Sequence, residues 1–313
     1  MINLIYIASI GRSGTTLLDC ILGAHSQMAS IGEIHLWPHE ILQGGVLPCG
    51  SGAFVQDDPF WQEMEERIRP LEQPAPQIHF FREAHDGGRT LRPNRLGDFF
   101  SSVPGRSSVS RIKQYAANND VIYRNFSDLV FDREGTRPKW IVDSSKDPYR
   151  LNWLVQSGRF NIKVIHLVRN PKGFIHSVTK PHIYGDDRYE PSSTRRLYWT
   201  LRQAGAWTVR NGLISATAER YMQNDDYLLL TYEALASTPE ALLHRVCEVA
   251  GVPFEPQAIE NFRSGSPYAI AGNPMRQRGG GIRLDQQWKR NLPTSSRYLT
   301  DAITAPIKSK YSY

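Results

Sequence analysis

Short, unbroken apolar runs alternate along the chain with segments whose apolar positions recur every three or four residues. The run "LIYIAS" at Leu4–Ser9 is apolar and partly β-branched, as expected of a buried parallel strand. It leads into a glycine- and hydroxyl-rich turn at Gly11–Thr16, then into an apolar-periodic stretch predicted to be helical from about Thr15 to Ala24. "KWIVDSSKDP" and "IKVIHLVRNP" are two further β-branched runs that end in polar residues, and "YRLNWLVQSGR" between them has the spacing of a short helix. "DYLLLTYEAL" reads as another strand. Long helices are expected over "VSRIKQYAANNDVIYRNFSDLVFDRE" and "RRLYWTLRQAGAWTVRNGLISATAERYM". In "STPEALLHRVCEVAGVPF" Thr238 is a candidate cap, Pro239 sits at the first helical position and Gly251 ends the helix.

Strands alternating with helices predict an α/β fold: a P-loop-like, three-layer arrangement with a central, mostly parallel sheet flanked by helices. The stretch Gly44–Pro104 differs. It is rich in Pro, Gly and polar residues, and only "PFWQEMEERI" within it has helical spacing. It is read as a variable cap inserted in a single domain spanning residues 1–313.

Composition narrows the class. The 313 residues are enough to bury a full core, and 22% of them are charged, with both signs mixed. The formal charge of +6 suits an anionic ligand without requiring one. No basic run of the kind that binds nucleic acid is present; Arg276-Gln277-Arg278 comes nearest and adjoins glycines. The three cysteines, Cys20, Cys49 and Cys247, are odd in number and widely spaced, which argues against a disulfide framework or a zinc knuckle. "MINLIYIASI" is too short to span a bilayer and lacks a basic leader, so a cytoplasmic protein without a transmembrane segment is expected.

The Gly11–Thr16 turn, "GRSGTT", has the layout of a phosphate-binding loop: glycines for close backbone approach, hydroxyl donors, and a following helix N-terminus. Such loops usually carry a lysine before the last Ser/Thr, but here that position is Thr15 and the loop's one cation is Arg12. A guanidinium clamps oxygens in a fork, which an ammonium cannot do. In the second motif, "VIHLVRNPKGFIHSV", Arg169 ends a strand and Ser177 lies eight residues on, in the next helix.

Together the two motifs resemble those of the sulfotransferases that use 3′-phosphoadenosine-5′-phosphosulfate (PAPS), of bacterial type with tyrosylprotein-sulfotransferase-like features. The resemblance implies that Gly11, Arg12, Ser13, Gly14, Thr15 and Thr16 hold the 5′-phosphosulfate, and that Arg169 and Ser177 hold the 3′-phosphate. It implies PAPS as co-substrate, its 3′,5′-bisphosphate (PAP) as product, no metal requirement, and a small-molecule or carbohydrate acceptor. "SSKDP" resembles the Lys-Asp-Pro segment whose lysine, here Lys146, faces the sulfuryl group, so Arg12 and Lys146 are the residues expected to neutralise charge growing on the bridging oxygen during transfer. "LLLTYEAL" resembles a segment whose tyrosine, here Tyr232, reaches the nucleotide. "RQRGGGIRLDQQWKRNL" resembles the late segment that closes over the 3′-phosphate, which implies Arg278 and Gly279.

The histidine base of the cytosolic branch is missing, since Asp147-Pro148 stands in its place. In "SIGEIHLW" Glu33 follows a glycine, as the base does in tyrosylprotein and many bacterial sulfotransferases. Glu33 is the expected base and His35 the runner-up, both on one face if the segment is a strand. Some bacterial relatives have a Cys-x-Cys-Gly…Cys-Pro-Phe-Trp pattern, of which Leu47 and Asp58 replace two cysteines, so a metal or disulfide is not expected there. Trp37, Phe60 and Trp61 suit either a flat acceptor or core packing. Two rival readings stand: a metal-dependent P-loop nucleotide kinase or NTPase with Asp143 as the magnesium carboxylate, and a non-enzymatic nucleotide-binding protein of the same fold. The acceptor, O- versus N-sulfation, and the oligomeric state stay open.

Overall fold

The computed structural model describes residues 1–37, 48–68, 85–86, 89–90, 109–179, 193–277 and 279–313. Its centre is a five-stranded, all-parallel sheet. The strands are β1 (Asn3–Ser9), β2 (Met28–Gly32), β3 (Trp140–Lys146), β4 (Asn161–Val168) and β5 (Tyr227–Thr231), in the order β2-β3-β1-β4-β5. β1 is central and pairs with β4 without a break from Asn3↔Asn161 to Ser9↔Leu167.

The two-residue period of β1 divides the core. Leu4, Tyr6 and Ala8 face one apolar cluster, and Ile5 and Ile7 face the other. The first cluster is covered by α2 (Pro59–Ile68), α3 (Val109–Glu134) and α4 (Pro148–Gln156), with Ile214 from the long α6 (Ser193–Tyr221). The second is covered by α1 (Thr15–Gly23) and α8 (Pro239–Ala250), so helices flank the sheet on both faces. A third cluster gathers Val168, Phe174 of α5 (Pro171–Val178), Trp207 of α6 and Tyr311.

Local punctuation behaves largely as the sequence indicates. Pro239 opens α8 and Gly251 closes it in the left-handed region at φ 60°. Thr238, however, makes no side-chain cap; its hydroxyl donates back to the Ala234 carbonyl at 3.1 Å, in the short α7 (Tyr232–Ser237) just before. The "YLLLT" strand ends sooner than the apolar run suggests, because Thr231 caps α7 by accepting from the Ala234 amide.

β2 is an edge strand, and the segment that follows α9 (Gln257–Glu260) covers its exposed side. Ile270 donates to the Ile31 carbonyl at 3.2 Å and accepts from the Glu33 amide at 2.9 Å. At Gly32, φ is 74° and a Cβ would lie 2.3 Å from the Ile270 nitrogen, so only glycine fits before Glu33.

Most of the cap expected at 44–104 lies outside the described residues. The described part, 48–68, packs into the core: Cys49, Val55, Phe60, Trp61 and Met64 are all buried. Trp37, Phe60 and Trp61 are therefore core aromatics and do not present a flat surface to an acceptor. Asp58 accepts from the Phe60 amide at 2.9 Å at the start of α2 and from the Cys49 thiol at 3.3 Å. Cys20, Cys49 and Cys247 are free and buried.

Candidate active site

Each of the five strands delivers one candidate residue at or just beyond its carboxyl end. Glu33 follows β2, Lys146 ends β3, the Gly11–Thr16 loop follows β1, Arg169 follows β4 and Tyr232 follows β5. In open α/β sheets this edge is where ligands bind.

The loop is held from several sides. Arg12 and Gly14 both have positive φ, 71° and 86°. A Cβ on Gly14 would lie 2.5 Å from the Tyr232 ring, so this glycine is required both by its backbone and by its neighbour. Thr16, in the first turn of α1, accepts from the Asn273 amide at 3.0 Å. Ser13 is fully buried, and its hydroxyl has no hydrogen-bond partner among the described residues. An orphaned buried hydroxyl beside a helix N-terminus fits a loop built to receive anionic oxygens.

The second motif interlocks with the first. Arg169 donates from Nη1 to the Arg12 carbonyl at 3.0 Å, and Arg12 donates from Nε to Ser177 Oγ at 3.2 Å. The Arg169 guanidinium lies over the Tyr232 ring, 4.4 Å from its centroid. Its Nε is buried with no partner among the described residues. Trp207 donates to the Arg169 carbonyl at 3.0 Å and fixes the end of β4 from α6. Asn170 caps α5 by accepting from the Lys172 amide at 3.0 Å, with Pro171 at the first helical position.

Lys146 and Glu33 form an ion pair, each side chain about one-sixth exposed. Lys146 reaches that position through a bulge: Tyr6 pairs with Asp143 but Ala8 pairs with Lys146, so β3 carries an extra residue, and Lys146 has φ 66°. A buried network fixes the bulge. Asp143 accepts from the Ser145 amide at 2.9 Å, from Arg150 Nη2 at 2.9 Å and from the Tyr123 hydroxyl at 2.6 Å. Tyr6 donates to the Asp147 carbonyl at 2.8 Å. Asp147 itself caps α4 by accepting from the Tyr149 amide.

His35 does not share a strand face with Glu33. The strand stops at Gly32, and Ile34–Leu36 is a single 3₁₀ turn, where residues two apart point to different sides. Burial lowers the His35 pKa, and its Nδ1 is enclosed with no hydrogen-bond partner among the described residues.

Arg276 is not a solvated loop cation. It is buried and ion-paired with the fully buried Asp19 of α1 at 2.6 Å, clamping the late segment beneath the phosphate loop. Arg278 lies outside the described residues. Gly279 is described and exposed, with no atom within 4 Å of where its Cβ would be. Two residues of this edge were not anticipated: Asn273, which reaches Thr16, and Asp285, whose carboxylate accepts from Arg169 Nη2 at 3.2 Å.

A family model described as the Sulfotransferase family matches residues 5–256, from β1 to beyond α8. The chain belongs to the sulfotransferase family. Comparison of the sequence with curated proteins gives no match. Among solved structures, the sulfotransferase domain from the curacin biosynthetic pathway is similar over 98% of this chain and 98% of that one, with 19% identity and a TM-score of 0.56. The sulfotransferase domain from the Synechococcus PCC 7002 olefin synthase is similar over 98% and 94%, with 20% identity and a TM-score of 0.54. A sulfotransferase from Mycobacterium avium, STF9, is similar over 99% and 76%, with 13% identity and a TM-score of 0.50. At these identities the likeness is one of fold.

Membership in the sulfotransferase family supports PAPS-dependent sulfuryl transfer, and the kinase alternative is not favoured. That alternative needs Asp143 as a magnesium ligand, whereas the carboxylate is fully buried and bound by Arg150 and Tyr123. No helix among the described residues is long and apolar enough to cross a membrane.

Proposed function

We propose that this sulfotransferase moves a sulfuryl group from PAPS to a hydroxyl or amine of a small-molecule or carbohydrate acceptor. The observation that carries the reading is the Glu33–Lys146 pair at two adjacent strand ends, on the same edge as the interlocked Arg12, Ser177 and Arg169. The loop amides, Ser13, Thr15 and Thr16 bind the 5′-phosphosulfate. Arg169 and Ser177 bind the 3′-phosphate; Arg12, which the resemblance gives to the 5′-phosphosulfate, turns instead to Ser177 and is assigned to the 3′-phosphate with them, while Tyr232 stacks on Arg169.

Transfer is an in-line displacement. The acceptor oxygen or nitrogen bonds to sulfur as the sulfur–oxygen bond to the 5′-phosphate breaks, and the electron pair of that bond leaves on the phosphate. By analogy with phosphoryl transfer, positioning and charge stabilisation do most of the work. Lys146 stabilises the charge growing on the leaving oxygen. Glu33 takes the acceptor's proton. Lys146 also holds Glu33 in place through their ion pair before the acceptor arrives, so one residue serves both ends of the displacement. Arg12, which donates to Ser177, acts in donor binding more than in bond breaking. No step calls for a metal ion.

The reading is tested by incubating the protein with PAPS and a panel of phenols, alcohols, amines and saccharides, and measuring product masses. One acceptor class should gain one SO₃ unit, and the gain should vanish with Lys146→Ala. No gain across the panel would favour a nucleotide-binding protein without transferase activity.

A further inference from the structure

The guanidinium that the preceding reading assigns to the 3′-phosphate already holds an anion. Arg169 donates from Nη2 to the Asp285 carboxylate at 3.2 Å and to its carbonyl at 3.4 Å. Asp285 also donates its amide to the Tyr232 hydroxyl at 3.0 Å, so it touches both members of the Arg169–Tyr232 stack. The Arg169 side chain is 6% exposed and that of Asp285 is 27% exposed, so the carboxylate approaches the arginine from the solvent side. Asp285 belongs to a stretch without regular structure, 279–287, which begins with Gly279, Gly280 and Gly281. None of these glycines has an atom within 4 Å of where a Cβ would stand.

We propose that Asp285 is an internal competitor for the 3′-phosphate: its carboxylate neutralises Arg169 in the free enzyme, is displaced when the nucleotide binds, and returns to expel the bisphosphate product. The proposal rests on the assignment of Arg169 to the 3′-phosphate. The physical basis is that one guanidinium face cannot serve a carboxylate and a phosphate at full strength together. A phosphate, with more charge and three acceptor oxygens, wins the exchange, but against a competitor that lowers its affinity. The product is a tightly held polyanion in such a site, and its release commonly limits turnover. A tethered carboxylate beside the arginine speeds that release without weakening the contacts themselves.

Asp285 has a second, purely structural role that the test must separate. Its Oδ1 accepts from the Gln287 amide at 3.1 Å, at the entry to α10 (Trp288–Asn291). Asparagine makes this kind of turn as well as aspartate does, so Asp285→Asn removes the charge and keeps the turn. Asp285→Ala removes both.

The experiment measures the affinity of the bisphosphate product and of AMP for the wild type, Asp285→Asn and Asp285→Ala by calorimetry. Stopped-flow displacement gives product release. Asp285→Asn should bind the bisphosphate about tenfold more tightly and release it correspondingly more slowly, the scale of one charge-assisted hydrogen bond withdrawn from competition. AMP affinity should stay within about threefold. Asp285→Ala should also gain bisphosphate affinity, at lower thermal stability. A wild type that prefers the bisphosphate over AMP while Asp285→Asn shows unchanged or weaker bisphosphate binding overturns the inference alone. A wild type that does not distinguish the two nucleotides overturns the assignment of Arg169 and the inference with it.

Discussion

The guanidinium of Arg169 holds the backbone carbonyl of Arg12 at 3.0 Å, so the residue that follows β4 sets the shape of the loop that follows β1. Arg12 returns the contact by donating to Ser177, two turns into the helix that Arg169 precedes. The two motifs thus interlock as one unit, the proposed anion receptor. Arg169→Lys should break it, because an ammonium can neither reach the Arg12 carbonyl with a planar fork nor stack on Tyr232. Bisphosphate affinity should fall at least about tenfold, the loss of a charge-assisted contact worth about 1.5–3 kcal/mol. Calorimetry of the two proteins checks this; equal affinities would remove Arg169 from the receptor.

Glu33, not His35, should carry the acceptor's proton. Burial lowers the His35 pKa and makes its ring a weaker base, and its Nδ1 is enclosed, whereas Glu33 is ion-paired with Lys146. Glu33→Gln keeps the shape and cannot accept a proton, so kcat should fall about 10²–10⁴-fold. His35→Asn should change kcat by much less. Steady-state kinetics with a weakly acidic acceptor decide it, since an acidic phenol needs little help from a base. Normal turnover in Glu33→Gln together with loss in His35→Asn would move the base to the histidine.

Much of this site could be read from the sequence, for a definite reason. The strand ends announce themselves where an apolar run meets polar residues, and that transition fixes Arg12, Lys146, Arg169 and Tyr232 to one edge. The failures have equally definite causes. β2 is only five residues long, and its end at Gly32 is enforced by Ile270, nearly 240 positions away, so Glu33 and His35 read as a continuing strand. The partner of Arg276 could not be read from the sequence, because that arginine sits among glycines and polar residues and Asp19 lies inside an apolar helix where a carboxylate draws no notice. Asp285 lies within the late "RQRGGGIRLDQQWKRNL" segment, but nothing in that pattern singles it out, and only folding brings it to Arg169. Phe60 and Trp61 fell in a stretch of loop-like composition, although that part of the chain packs into the core.

The Asp19–Arg276 pair is the charged tie, beside the Asn273–Thr16 hydrogen bond, between the late segment and the phosphate-loop helix. Arg276→Ala would leave a buried carboxylate supported by the hydroxyls of Ser30, at 2.6 Å, and Ser144 but without its ion-pair partner. Breaking one side of such a pair costs about 3–5 kcal/mol. Urea denaturation should show that loss, and Asp19→Asn with Arg276→Met should recover a good part of it. Equal stability of Arg276→Ala and the wild type would contradict a buried, paired role.

Acid should destabilise the fold through His166. Burial lowers its pKa from 6.5 to about 4. Nε2 donates to Asn211 Oδ1 at 2.9 Å, leaving Nδ1 to accept from the Tyr227 hydroxyl at 2.7 Å, so the neutral ring satisfies both neighbours. The unfolded chain takes up a proton below about pH 6.5 and the folded one does not, so stability is full above that pH and falls as pH drops toward 4. The loss should reach about 2 kcal/mol between pH 6.5 and pH 5, at 1.36 kcal/mol per pH unit. Urea denaturation of the wild type and His166→Gln across this range checks it. Parallel pH profiles would assign the acid sensitivity to other groups.

The central claim is that the strand-end edge receives a nucleotide carrying phosphates at both 3′ and 5′ positions, without a metal. Calorimetric titration of the protein with the 3′,5′-bisphosphate and with AMP, both in excess EDTA, tests it most directly. The bisphosphate should bind at least about tenfold more tightly than AMP, from the contacts of Arg169, Arg12 and Ser177 with the extra phosphate. Equal affinities, or bisphosphate binding that appears only when magnesium is restored, would contradict the account.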